Sequence, residues 1–314
     1  MDISFKIDGI TVANPLDFRF KASLDTPCSS LELSFLTQQN TQIYNAEMAI
    51  NSDVLFTGFV DNQIRTQNQN GDITVLTCRS DTARMLDNEA YSGFHFNVTP
   101  AQMFDECCAP YGVVSGDFPQ SDSLNFVYVR DGTSLWGFME LYCRQRFGKQ
   151  PFIDYENKLT FTRFTDVTHQ FNVKDTSAPP QVISCTTKYN TYDMISKLYV
   201  KTGDEEWRPI YGMELNNALA GSKNIRRTRY YKVQPDWVRD MNTASQMYLN
   251  RSNESFFSVE LIVPNIEAYH IGDSVVYNDG VTTYQDLYIH AVELVANAKG
   301  AKTKITCYDK NFIV

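Results

Sequence analysis

Histidine is scarce in this sequence. There are four in 314 residues: His95, His169, His270 and His290. No two are spaced as ligands on one helix face and HExxH does not occur, which excludes the usual helix-borne zinc centre. The seven cysteines (Cys28, Cys78, Cys107, Cys108, Cys143, Cys185 and Cys307) are odd in number and form no CxxC pair. The reading they support is reduced, buried thiols in a reducing compartment. GxSxG, GxGxxG and a phosphate-cradling glycine loop are missing, so the common nucleophile and nucleotide motifs are out. No run approaches the ~20 apolar residues of a membrane-spanning helix. Met1 to Ile10 alternates like a strand, without a basic start or a long apolar stretch, so no signal peptide is expected there. Positive charge is short too. Twenty-eight Lys and Arg face 37 Asp and Glu, for a net charge of −9 and a pI near 5.0. That argues against a protein that grips nucleic acid by its phosphates.

The remaining chemical candidates read better as structure. Cys107 and Cys108 are expected in the middle of a helix, on different faces, with at least one buried. Asp204-Glu205-Glu206 reads as a solvated acidic cluster. Arg226, Arg227 and Arg229, followed by Tyr230-Tyr231, form a small basic and aromatic patch better suited to a protein contact than to nucleic acid on so acidic a chain. No catalytic, cofactor-binding or metal-binding residue is assigned, and the expectation is a protein that is not an enzyme. A glycosidase carboxylate pair is a matter of spatial separation, which sequence does not set.

Aromatics, by contrast, are plentiful. Eighteen Tyr and 20 Phe favour strands and large contact surfaces. The length suits two or three domains. Residues 1–89 read as β. Leu31, Leu33 and Phe35 alternate with polar neighbours, and Val54–Arg65 runs into a return strand Ile73–Arg79 through a turn at Asn70-Gly71. Ser80-Asp81 is expected to cap a short helix to Leu86. Residues 90–178 read as a small α/β unit. Thr99-Pro100-Ala101-Gln102 is a capping box that starts a helix ending before Pro110. A second helix spans Ser134 to Phe147 and stops at Gly148. A hairpin follows through Phe152–Tyr155 and Leu159–Thr162, and Ser177-Ala178-Pro179-Pro180 serves as an exit linker. Residues 179–314 return to β, with strands at Val182–Lys188, Met194–Lys201, Phe256–Val263, Ser274–Tyr277, Tyr284–Val295 and Lys302–Tyr308. One helix is expected from Pro235 to about Leu249, with Trp237, Met241, Ala244 and Tyr248 on one face. Asp204–Ile225 has no period and reads as a long loop.

The two β regions repeat. Leu76-Thr77-Cys78 is matched by Ile305-Thr306-Cys307, Gly71 by Gly300, and Phe59-Val60 by Tyr288-Ile289, all at the offset of 229 that separates Cys78 from Cys307. Two related β-barrels in one chain are the expected consequence. Three chains would then supply six barrels, which suits stacking on a sixfold ring.

Five stretches carry a resemblance: Thr77-Cys78-Arg79-Ser80-Asp81, Met85-Leu86-Asp87, Thr99-Pro100-Ala101-Gln102, Gly132-Thr133-Ser134-Leu135-Trp136 and Lys158-Leu159-Thr160-Phe161-Thr162-Arg163. Ile271-Gly272-Asp273-Ser274-Val275 adds a sixth. In this order they resemble the baseplate hub family of contractile phage tails, in its Mu-like form and in phage-derived contractile bacteriocins. The resemblance covers most of the chain and departs from it at Asp204–Ile225. It implies a fold that is mainly β with an α+β insert: two tube-like antiparallel β-barrels plus a small α/β domain. It also implies a structural homotrimer, a ring adapting the sixfold tail tube to the threefold central spike. Its partners would be itself, the tail tube protein, the spike, baseplate wedge proteins and the tape-measure protein, with DNA only passing through the lumen. Such a protein assembles in the bacterial host cytoplasm and matures in the baseplate of a virion or tail particle. The other readings kept are a distal tail or tail-tip subunit of a non-contractile tail, and a tail-tip cell-wall hydrolase or glycan-binding module.

Overall fold

A computed structural model describes residues 2–13, 15–37, 41–69, 71–119, 123–173, 181–233 and 240–312. The linker expected at Ser177–Pro180, Asn70 of the first turn, and Pro235 and Trp237 lie outside them. The chain is mainly β, with large antiparallel pairings and a few helices.

Thirteen strands join in one sheet. Its first part is built from residues 3–80. Ser30–Leu36 pairs with Gly71–Ser80, which pairs with Asp53–Asn68, and then come Asn45–Ile50 and Ile3–Ile7. Leu31, Leu33, Phe35, Leu76 and Cys78 are buried, as the alternation requires. Each leucine or phenylalanine side chain so removed from water contributes about 1.5–3 kcal/mol. Ser34 is buried as well, and its hydroxyl donates to Asp17 Oδ2 at 2.7 Å. The second part comes from the other end of the chain. Ser184–Tyr189 pairs with Phe257–Val263, which pairs with Gly300–Asp309, which pairs with Thr283–Asn297. One backbone seam fuses the parts: Phe18–Ser23 lies antiparallel to Ala291–Ala296. A single buried apolar cluster runs through both, from Phe5 to Cys307.

The two long hairpins share one register. Val60 pairs with Cys78 and Asn62 with Thr77, leaving Asp61 as a bulge. At the same offset, Ile289 pairs with Cys307 and Ala291 with Thr306, leaving His290 as the bulge. Asn45 opposite Phe59 is repeated as Ser274 opposite Tyr288. Even the bond from Val60 N–H to Tyr44 C=O (2.9 Å) recurs from Ile289 to Asp273 (2.8 Å). Each bulge side chain meets the same return-strand position. Asp61 accepts from Arg79 Nε at 2.6 Å, and His290 stacks on Tyr308 with ring centres 4.1 Å apart. A bulge re-aims one side chain and increases local twist, so matching bulges give the hairpins matching curvature. Gly71 and Gly300 open the return strands at φ +124° and +120°. Open space surrounds both, so conformation and not crowding demands glycine there.

Between these β parts sits the α/β unit, with its own core around Met103, Val127, Phe138, Met139 and Tyr142. Helix α1 is Arg84–Asp87, α2 Pro100–Cys107, α3 Leu135–Phe147, α4 Ala218–Ser222 and α5 Met241–Glu254. Thr99 forms the capping box with Gln102, Ser134 caps α3 through Gly137 N–H, and Gly148 ends α3 at φ +64°.

Several expectations need correction. Ser80 does not cap by its side chain. A 3-10 turn, Asp81–Ala83, precedes α1, and the buried Ser80 hydroxyl bonds Thr82 Oγ1 and the Ser29 N–H instead. Cys107 and Cys108 are at the end of α2, not its middle, because Ala109–Tyr111 tightens into a 3-10 turn around Pro110. Both are buried. Asp204–Ile225 is not a loop. It holds a hairpin, Gly203–Glu205 with Arg208–Ile210, then a strand, Met213–Asn216, paired with Lys197–Val200, and then α4. On α5 the buried face is Ala244, Ser245, Leu249 and Asn253, while Tyr248 is half out and stacks on Tyr231.

Because the hairpins are equivalent, Gly71→Ala and Gly300→Ala are expected to destabilise the fold alike, each by about 1–3 kcal/mol. Urea unfolding of the two variants checks this. A cost at only one glycine would contradict the equivalence.

Candidate assembly interface

Among the described residues no group of three or more His, Cys, Asp or Glu is arranged to hold a metal ion. All four histidines have partners. His95 Nε2 is 2.7 Å from the Tyr91 carbonyl, and His290 Nε2 is 3.0 Å from Asp25. His270 stacks on Tyr155 and lies 3.4 Å from Asp53. His169 Nε2 is 2.8 Å from Asp273 Oδ2. Burial holds the thiols protonated, pushing Cys78 and Cys108 up to about 12.

Asp273 is the best-built polar site. Its carboxylate is fully buried and takes bonds from His169, from Thr165 Oγ1 at 2.5 Å and from the His270 N–H at 3.3 Å. Burial pushes its pKa up. The His169 and Thr165 hydrogen bonds outweigh that and hold it below the ordinary value of 3.8. Gly272 precedes it at φ +91°, and a Cβ there would meet the Arg163 carbonyl at 2.5 Å. The motif Ile271–Val275 is therefore a pin. It ties the strand Thr168–Asn172, which pairs with Ser274–Asn278, to the turn before the second hairpin.

The Arg79 motif works similarly. Its guanidinium reaches both Asp61 and Asp87, the latter at 2.8 Å, clamping α1 to the first hairpin. These groups are partly exposed, so each pair contributes modestly. Around the basic patch, Arg227 lies over the Tyr192 ring, Tyr230 stacks on Tyr199, and the strand Thr228–Tyr231 runs parallel to Lys197–Val200. Of the acidic run, Asp204 pairs with Lys201 at 2.5 Å.

Gly93–Val98 and Leu124–Val129 form a two-stranded sheet. Its inner side chains, including Val98, Val127 and Val129, are buried, while Phe94, Phe96, Phe126 and Tyr128 stand outward. Phe96 is 69% exposed, and the Phe94 and Tyr128 rings are 4.9 Å apart. A contiguous exposed aromatic patch marks a contact site. The sequence signal for this face is the alternation Phe94-His95-Phe96 and Phe126-Val127-Tyr128-Val129. Two strand edges are also open. Among the described residues no strand pairs with the outer edge of 62–67 or of Ser184–Tyr189. Such edges are templates for another chain.

No family model and no curated protein matches this sequence. Solved structures do match it. The prophage MuSo2 43 kDa tail protein from Shewanella oneidensis aligns over 100% of both chains with a TM-score of 0.80 at 15% identity. A tail protein from Neisseria meningitidis aligns over 99% of this chain and 97% of its own, with a TM-score of 0.78 at 11% identity. The fold is that of phage tail proteins. The E. coli c3393 protein, a type VI secretion component described as similar to the T4 tail proteins gp27 and gp5, aligns over 97% of this chain and 76% of its own, with a TM-score of 0.59 at 9% identity.

The Asp273 pin gives a pH prediction. Its folded pKa lies below 3.8, so its contribution is complete above that value and fades as pH falls through the lowered one. Asp273→Asn should cost about 1–3 kcal/mol at neutral pH. The gap from wild type should narrow in strong acid. Denaturant midpoints across the acid range check this, and a gap independent of pH would contradict it.

Proposed function

We propose that this chain is a structural baseplate hub of a contractile tail, and not an enzyme. Three copies form a ring that adapts the sixfold tail tube to the threefold central spike. The observation that carries the reading is the repeated hairpin: one chain holds two units of the same register, bulge and turn. Three such chains present six equivalent units, so a trimer matches a sixfold ring on one face while keeping threefold symmetry for the other. The tail-protein fold supports this, as does the likeness to a type VI component that is itself similar to gp27 and gp5.

The partners follow from the geometry of such a ring. The tube protein stacks on the six units and the spike seats on the threefold side. The aromatic face at Phe94, Phe96, Phe126 and Tyr128 is available to a neighbouring baseplate protein. The lumen carries the tape-measure protein, and the acidic chain lets DNA pass it without sticking, because like charge repels the phosphates. The chain assembles in the host cytoplasm and ends in the baseplate of the particle. Among the described residues no helix is long and apolar enough to cross a membrane.

Native mass measurement of the purified chain, alone and mixed with its tube and spike proteins, tests the reading. A trimer that binds both is expected. A stable monomer with affinity for neither contradicts it.

A further inference from the structure

The open edges are complementary, and the chain's own seam sets how they should meet. In that seam Phe18–Ser23 pairs with Ala291–Ala296, with Phe20 opposite Leu294. Each side has an equivalent in the other half of the molecule. By the offset of 229, Leu294 corresponds to Arg65, which pairs with Thr74 just as Leu294 pairs with Thr303. The equivalent of Phe20 is found by walking across the sheets. From Cys78 the rungs lead to Leu31 and then to Phe20. From Cys307 they lead to Val259 and then to Thr187. Thr187 thus occupies the place of Phe20, and Arg65 the place of Leu294. Within one chain these two are not partners. Both lie on stretches, 62–67 and 184–189, whose outer edges no described strand covers.

We propose that the edge 184–189 of one copy pairs antiparallel with the edge 62–67 of the next, in the register of the internal seam. Thr187 then lies opposite Arg65, Lys188 opposite Ile64 and Thr186 opposite Thr66. The partner is a second copy of this chain, and the contact is head-to-tail, since each copy offers one edge of each kind. Such a contact closes into a ring when its rotation allows, and otherwise runs on as a filament. This rests on the ring reading above and adds which strands meet and in what register.

The side chains suit the pairing. The edges read Asn62-Gln63-Ile64-Arg65-Thr66-Gln67 and Ser184-Cys185-Thr186-Thr187-Lys188-Tyr189, with β-branched residues at the centre of each. No proline blocks either ladder. Ile64, Thr66, Thr186 and Lys188 are exposed in the isolated chain and point to the same side once paired. Thr66 facing Thr186 is a favourable cross-strand pair, and the Lys188 stem can lie along Ile64.

A charge swap tests the register. Ile64→Lys places two ammonium groups directly opposite in the proposed ladder and should weaken each contact about fivefold at low salt. Adding Lys188→Glu converts the clash into an ion pair and should restore assembly to the wild-type concentration dependence. Both positions are exposed, so the folded monomer should keep its melting temperature. Sedimentation analysis of wild type, I64K, K188E and the double variant reads the result. Rescue only in the double variant supports the pairing. A trimer that I64K leaves unweakened, or that K188E fails to rescue, overturns this register while leaving the ring reading standing. A wild-type chain that stays monomeric and binds neither tube nor spike overturns both.

Discussion

The backbone pairing of Phe18–Ser23 with Ala291–Ala296 is the contact on which the rest of the molecule depends. It joins strands from opposite ends of the chain, and everything between them must fold back to let it form. Its ladder hydrogen bonds are reinforced by the ion pair between Arg19 and Glu293 and by His290 reaching Asp25. Through it, two hairpin-based units share one sheet and one buried apolar cluster. Without it they would be two modules on a tether. With it their relative rotation is fixed, and a fixed rotation between like units is what a closed ring needs.

The repeat then acquires mechanical meaning. Asp61 and His290 occupy the same bulge, yet Asp61 pairs with the Arg79 guanidinium at the matching return-strand position while His290 stacks on Tyr308 there and reaches Asp25 besides. The chemistry of the two units has diverged while the backbone has kept its curvature. Divergence suits the proposed adaptor role, in which one face must treat the units alike and the other must tell them apart. The α/β unit, with its own core and its outward aromatic sheet, lies between the repeats in sequence and breaks their symmetry.

Much of this was legible in the sequence, for identifiable reasons. Alternation exposed the strands around Leu31–Phe35, cap chemistry placed the start of α2, the apolar stripe and Gly148 placed α3 and its end, and the Gly71/Gly300 and Cys78/Cys307 spacing disclosed the repeat. The seam was not legible, because pairing between residues nearly a chain length apart leaves no local pattern. Short elements were lost too. In Gly203–Asn216 the strands are three or four residues long, and the turn at Glu206 adopts φ +54° without a glycine to announce it. Asn217, which caps α4 and donates to Ile195 C=O and Asn253, looked like one more polar residue in a polar stretch. For the interaction surfaces, sequence suggested aromatic contacts in general. It did not separate Phe94, Phe96, Phe126 and Tyr128, which face out, from Phe138 and Tyr142, which fill a core.

The central claim is that one chain supplies two equivalent units to a ring. Imaging of the native particle, averaged without imposed symmetry at the level where tube meets spike, tests it most directly. The account predicts three copies of this chain, with strict threefold symmetry and six similar barrel-like densities around the lumen. Six copies in a strictly sixfold ring, each contributing only one unit to the lumen wall, would contradict it.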